Sequence, residues 1–348
     1  MADDHKEPIN VTEEILKEGC IRFGVEPVTG KDLSDGSPMS CVYECTRSSS
    51  RVFLKFFQPI KGSIDGSEEQ LDHVKRFSEE STDDIRFASP LPSKNGRLAE
   101  LIDDVGYHVY LVESAPGTPH ENCVPSGADG LEQVRKMGRL GGRIHYLAKT
   151  HPLWRYRDEE TDPTTESYAT GATDSFGRCR DGRALFLSLI TRIDDAEIEA
   201  EVQNLLSRMA ELPKTREYYG FVNFDMNWTN FMVHGDTWTV IDFTGAYNWF
   251  LSTVAGAIYY MEKLERDRHL GYWDTYREGY ERECQVDRWW WHLMPLFLEE
   301  RRLAVYVIMD GLRNHPRYRA KPEFDEIMKE RREIILRHEA LVEFDFSV

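Results

Sequence analysis

The chain has 348 residues, which suits two domains or one domain with two lobes. At 41% hydrophobic and 12% aromatic it can build a sizeable core, and that excludes disorder of the whole chain. A net charge of −18 argues against nucleic-acid binding and against adhesion to anionic membranes, but not against ATP, which is held by local groups and a metal.

The acidic start, MADDHKEPINVTEE, has no apolar stretch, so no signal peptide is expected. No run reaches the roughly 20 apolar residues of a membrane helix. Six cysteines stand singly, with no CxxC pair. Reduced thiols in a cytoplasmic protein are expected, and a structural zinc site is not.

In chain order, VTEEILKEGCIRFG (11–24) predicts a short helix. SCVYECT (40–46) and RVFLKFF (51–57), parted by Arg47-Ser48-Ser49-Ser50, predict a hairpin. Leu71, Val74 and Phe77 recur at intervals of three and predict a helix over 68–80. Residues 85–103 are turn-rich and extended, and VYLVESAPG (109–117) is a strand running into a Pro-Gly stop. Leu131, Val134, Met137, Leu140, Ile144 and Leu147 form a helical stripe over 129–149. Residues 151–177 predict a loop, and 184–190, 197–212, 289–312 and 324–344 predict helices. Composition changes near Gly117, from strands to helices. This gives a β-rich lobe over 1–115 and a helical lobe over 116–348.

The informative stretch is GFVNFDMNWTNFMVHGDTWTVIDFTGA (220–246). Residues 231–233 and 238–241 flank His234-Gly235-Asp236-Thr237 and predict a tight hairpin. Asp225 and Asn230 precede it and Asp242 ends it, so the hairpin can gather all three on one face. An acid that orients a hydroxyl, an amide oxygen and a second acid are the set phosphoryl transfer uses, with magnesium preferring the oxygen ligands.

This segment resembles the aminoglycoside phosphotransferase and choline kinase family, relatives of the protein kinases. Its pattern there is His-Gly-Asp, an Asn five residues on, then a hairpin closing in Ile-Asp-Phe or Ile-Asp-Trp. Here Val222-Asn223-Phe224-Asp225 stands at the first motif, Asn230 follows at the right spacing, and Ile241-Asp242-Phe243 closes it. The literal tripeptide His234-Gly235-Asp236 has the wrong spacing and reads as a turn. Asn223 and Phe224 depart from the family's His and Gly, and Asn can replace the bracing hydrogen bonds of the His.

The resemblance implies an α+β, bilobal protein-kinase-like fold, with a small β-rich N-lobe and a larger helical C-lobe. It implies Asp225 as the catalytic acid, Asn230 and Asp242 as metal ligands, and ATP with Mg2+ as cofactors, GTP staying open. Lys55 would meet the α- and β-phosphates, held by Glu69 or its neighbour Glu68. Ser37 and Ser40 would line the phosphate loop, and the backbone from Glu113 to Ala115 would meet adenine. His145 is expected as a buttress or core residue.

The implied function is O-phosphotransfer to a small hydroxyl compound, an aminoglycoside, choline or homoserine among the candidates. Aromatics over 247–291 beside Glu262, Asp274 and Glu278 would suit a cationic acceptor, or else they fill a core. Trp289-Trp290-Trp291 cannot all face one way on a helix, so one is expected to be exposed, as in a homodimer. A non-catalytic scaffold, an atypical protein kinase and adenylylation stay open as other readings.

Overall fold

The computed structural model describes residues 9–34, 40–57, 64–102, 106–120, 127–150, 194–223, 225–243, 245–264, 271–311, 313, 323–342 and 346. The expected loop 151–177 and helix 184–190 lie outside these residues, as do Ser37 and Phe224.

Helix α1 (Glu13–Phe23) starts where Thr12 accepts a hydrogen bond from the Ile15 N–H, and stops at Gly24, whose φ of 65° suits glycine. Its buried Leu16, Cys20 and Phe23 cover one face of a six-stranded sheet. That sheet contains β1 (Glu26–Asp32), β2 (Ser40–Arg47), β3 (Ser50–Phe57), β5 (Pro90–Leu91), β6 (Ala99–Ile102) and β7 (Tyr107–Glu113). Its order is β1-β2-β3-β7-β5, with β6 also on β7. The expected hairpin is β2–β3. Ser48 and Ser49, both at positive φ, form its turn.

Side chains alternate along β3. Val52, Leu54 and Phe56 enter the core under α1, so Phe53, Lys55 and Phe57 face the other side. That alternation keeps the Lys55 ammonium out of the apolar core.

Helix α2 (Ile64–Glu79) and β4 (Ile85–Phe87) belong by sequence to the first 115 residues. Yet Val74, Phe77, Ile85 and Phe87 pack into the larger core with the C-terminal helices. A second sheet runs β4-β11-β10-β8, where β8 is Thr118–Pro119, β10 Phe231–His234 and β11 Thr237–Val240. Strand β4 lies parallel to β11. Gly117, at φ 103°, lets β8 approach: a Cβ there would lie 2.0 Å from the Val233 carbonyl oxygen.

Helix α3 (Gly127–Thr150) packs closely along the helix Tyr272–Glu283. Gly138, Gly142 and Gly279 make the approach possible, because a Cβ on any of them would overlap backbone of the facing helix. Further C-terminal helices are Ala196–Ala210, Phe250–Leu264, Arg288–Trp291, Met294–Gly311 and Phe324–Leu336. The expected single helix over 289–312 is split. Pro295 has no N–H to offer the Trp291 carbonyl, so a new helix begins at Met294. The last helix ends at Leu336 rather than 344, with His338 at a φ of 50° just beyond it. Trp290 and Trp291 are buried and Trp289 is exposed, as the run of three required. No helix among the described residues is long and apolar enough to cross a membrane.

Candidate active site

Two strand pairs bring the motif residues together. Strands β9 (Tyr219–Asn223) and β12 (Gly245–Trp249) pair antiparallel, with Asn223 opposite Gly245. Strands β10 and β11 pair through a two-residue turn, Gly235-Asp236, so the literal His-Gly-Asp is a hairpin turn. Gly235 takes a φ of 58° there, as a first central turn residue often must. At the open end of this hairpin the Ile241 N–H donates to the Asn230 carbonyl at 3.0 Å. Asp242 therefore emerges next to Asn230, and the paired Asn223 and Gly245 bound both loops.

The Asp225 loop is braced from within. The buried Asn223 accepts the Asp225 N–H on its Oδ1 at 3.1 Å, and its own carbonyl accepts Thr253 Oγ1 at 3.0 Å. Asn223 thus braces the Asp225 loop through both its side chain and its backbone. Asp225 Oδ2 accepts Asn227 Nδ2 at 3.0 Å and Asn230 Nδ2 at 3.1 Å. Asn230 Nδ2 also donates to the Asp225 carbonyl at 2.9 Å. The amide nitrogen of Asn230 is thus spent on the loop, which assigns its Oδ1 as the atom a cation could use.

Lys55 Nζ lies 2.9 Å from Asp242 Oδ1. Lys55 is only 8% exposed, whereas the Asp242 side chain is 43% exposed. Burial would lower the pKa of Lys55, but the Asp242 carboxylate and the Tyr110 hydroxyl opposite it on β7 more than offset this, and the pKa is raised. Burial in turn raises the pKa of Tyr110.

The expected glutamate partner of Lys55 is not found at that ammonium. Glu68 accepts the backbone N–H groups of Leu98 and Ala99, at 2.8 and 2.7 Å, and so fastens α2 to β6. Glu69 Oε1 lies 4.0 Å from His73 Nε2, one turn along the same helix. Asp242 reaches the ammonium at contact distance, and Glu68 is engaged by the Leu98 and Ala99 N–H groups instead. Helix α2 is tied to the Asp242 segment by a different residue, Gln70, whose Nε2 donates to the Phe243 carbonyl at 3.1 Å. His73 reinforces this tie by stacking on Phe221 and meeting Tyr247 Oη at 3.2 Å.

Ser40 opens β2 opposite Phe57, two residues along β3 from Lys55. Glu113 ends β7. Its N–H donates to the Ser89 carbonyl and its carboxylate accepts the Ser89 N–H, so both anchor β7. Ala115 is half-buried in the connection to β8. His120, just past β8, stacks on Trp228 of the Asp225 loop at 4.5 Å between ring centres. The segment after β7 and the Asp225 loop are thereby in direct contact. His145 is fully buried, stacked on Phe250 and 2.6 Å from Tyr280 Oη, which makes it a core residue.

Tyr247, Trp249, Tyr259, Trp273, Tyr276 and Tyr280 are buried, and Asp274 and Glu278 pair with surface arginines. All of these rings but Tyr259 fill the larger core, and Glu262 lies outside the side chains described. Sequence reasoning missed Arg301, Asn227, Tyr110 and Gln70. Asn227 had a usable signal, the Asp-x-Asn spacing of an Asx turn. Arg301 had none, standing beside Arg302 in an ordinary helical run.

The donor set at the hairpin's end is one carboxylate and one amide oxygen. That suits a small hard cation completing its shell with phosphate oxygens and water. No group of three or more His, Cys, Asp or Glu placed to hold a metal occurs among the described residues.

A β-rich lobe, a helical lobe and an Asp–Asn–Asp loop-and-hairpin between them define the bilobal protein-kinase-like fold. The spectinomycin phosphotransferase APH(9)-Ia, in complex with ADP and spectinomycin, shares it at a TM-score of 0.54 and 13% identity, over 95% of this chain and 98% of that one. The amicoumacin kinase hAmiN in complex with AMP-PNP, Ca2+ and Ami matches at a TM-score of 0.78 and 20% identity, over 97% and 96% of the two chains. In sequence, the amicoumacin kinase of Bacillus subtilis (strain 168) is 25% identical over 328 residues, 89% of this chain and 88% of that protein. No family model matches the chain.

Proposed function

We propose that the chain is an ATP- and magnesium-dependent phosphotransferase acting on a hydroxyl of a small, amine-bearing molecule, in the cytoplasm where ATP is supplied. The observation that carries this is the arrangement around one hairpin: Asn230 holds Asp225, and Lys55 holds Asp242. Similarity to amicoumacin kinase along most of both chains supports the substrate class.

In this reading Asp225 receives the acceptor's hydroxyl and orients it for in-line attack. Lys55 holds the α- and β-phosphates, with Tyr110 fixing its ammonium. Asn230 Oδ1 and Asp242 would hold the magnesium, which neutralises charge on the phosphates when bound. Ser37 and Ser40 would border the phosphates, and the backbone near Ala115 the adenine. The protein's contribution is chiefly placement, since the nucleophile is an ordinary alcohol. The net charge of −18 favours a cationic acceptor arriving at this cleft. Exposed Trp289, packed on Tyr218 and Trp290, is the surface on which a homodimer would form.

The test is transfer of label from γ-labelled ATP to amicoumacin, spectinomycin and simple amino alcohols, read by chromatography and mass. Wild-type protein should label at least one acceptor, and D225N should lose transfer while keeping nucleotide binding. Transfer at the wild-type rate by D225N would overturn the assignment.

A further inference from the structure

We propose that Arg301 is a positioning residue for Asp225, a role that rests on the phosphotransferase reading. Arg301 comes from the helix Met294–Gly311, far along the chain from the catalytic loop. It is buried, and its Nη2 lies 3.4 Å from Asp225 Oδ1. The two amides of Asn227 and Asn230 occupy Oδ2. In the phosphotransferase reading the acceptor's hydroxyl meets a carboxylate whose Oδ1 faces the guanidinium. A planar, permanently charged donor there restrains the rotation of the carboxylate, whose other oxygen is held by the two amides.

The neighbouring contacts show how Arg301 is itself held. Glu300, the preceding residue, is buried and accepts Asn248 Nδ2 at 3.1 Å and Ser252 Oγ at 2.7 Å. Asn248 lies on β12, the partner of the strand that leads into the Asp225 loop. The ring of Tyr259 lies 6.0 Å from the Arg301 guanidinium, and Tyr259 Oη accepts Arg331 Nη1 at 3.2 Å. Glu300 thus fixes the rotation of its helix against β12, and Arg301 transmits that placement to the catalytic carboxylate. Exposed ion pairs elsewhere on the surface have no such footing.

The experiment compares wild type, R301M, R301K and the control R302M in magnesium-dependent ATP turnover, with water or a labelled alcohol as acceptor. Arg302 bonds the Glu339 carbonyl in the C-terminal segment, outside the site. Misplacement of a catalytic group by about 1 Å costs on the order of a hundredfold. R301M should therefore lose about tenfold or more in kcat, with the KM for ATP and the magnesium–ATP thermal shift unchanged. R301K should recover part of the loss, and R302M should match wild type. If R301M does not fold, R301K alone decides, by a lowered kcat at unchanged KM. Wild-type kcat in R301M, or in R301K as sole variant, would overturn the role of Arg301 and leave the phosphotransferase reading standing. Absence of both turnover and nucleotide shift in wild type would instead overturn that reading, and this proposal with it.

Discussion

Lys55 and Asp242 meet at 2.9 Å, joining β3 of the six-stranded sheet to the end of the β10–β11 hairpin. Two separate parts of the sequence thus hold an ammonium and a carboxylate against each other. Removing one partner strands the other. D242N leaves a nearly buried ammonium without its carboxylate and should destabilise the fold by about 2 kcal/mol. That is below the cost of breaking a fully buried pair, because Asp242 is partly in water. K55M, which fills the same space with apolar atoms, should cost less. The pKa of Lys55 is raised, so the pair's contribution is complete below the ordinary lysine value and fades only as pH rises through the higher folded value. Urea unfolding should show the same gap between wild type and K55M at about pH 7 and pH 9. A gap that closes by pH 9 would contradict this.

Asn223 braces the Asp225 loop from a buried position. Its Oδ1 caps the Asp225 N–H, so N223A strips a half-buried donor of its partner. A loss of about 1–2 kcal/mol in urea unfolding is expected, and, if Asp225 acts as proposed, a proportionally larger fall in kcat because its loop loses its brace. Unchanged turnover in N223A would show that Asn230 and Asn227 suffice to hold the loop.

The crossing of α3 with the helix Tyr272–Glu283 is set by absent side chains. A Cβ at Gly138 would lie 2.0 Å from the Tyr276 carbonyl oxygen, and backbone cannot move aside as a flexible side chain could. G138A should cost about 3 kcal/mol. Gly311 has nothing within 4 Å of its Cβ position, so G311A should be neutral or mildly stabilising. Thermal melts of the two variants should move apart.

Buried histidines make the fold sensitive to acid. Burial, then the charge of Lys149, holds the pKa of His145 well below the usual value, and burial lowers that of His120. Below about pH 6.5 the unfolded chain takes up protons that the native state refuses. Stability should then fall as pH falls, by about 1.4 kcal/mol per pH unit for His145 alone. Unfolding free energies from urea titrations taken downward from about pH 7.5 should decline at least this steeply below about pH 6.5, and H145Q should show a shallower fall. A flat profile would contradict a neutral, buried imidazole.

The strands, the principal helices and the β10–β11 hairpin were legible because period-2 and period-3.6 patterns and turn residues are local signals. Asp225, Asn230 and Asp242 were legible because their spacing around one hairpin brings them together. The partner of Lys55 was not. Both glutamates of α2 were plausible on the chain, but only the folded distances show that Glu68 serves β6 and Asp242 serves the lysine. Arg301 was invisible for the same reason: 76 residues separate it from Asp225, and nothing local marks it. The core role of the C-terminal aromatics needed burial to decide, since helical spacing is the same for a core and for a pocket.

The most direct test is the thermal stability of wild type and D242N with ATP, with and without magnesium. A ligand that binds only the folded protein must raise its melting temperature. The account predicts a magnesium-dependent rise in wild type that D242N lacks. No rise with nucleotide in wild type, or an equal magnesium-dependent rise in D242N, would contradict it.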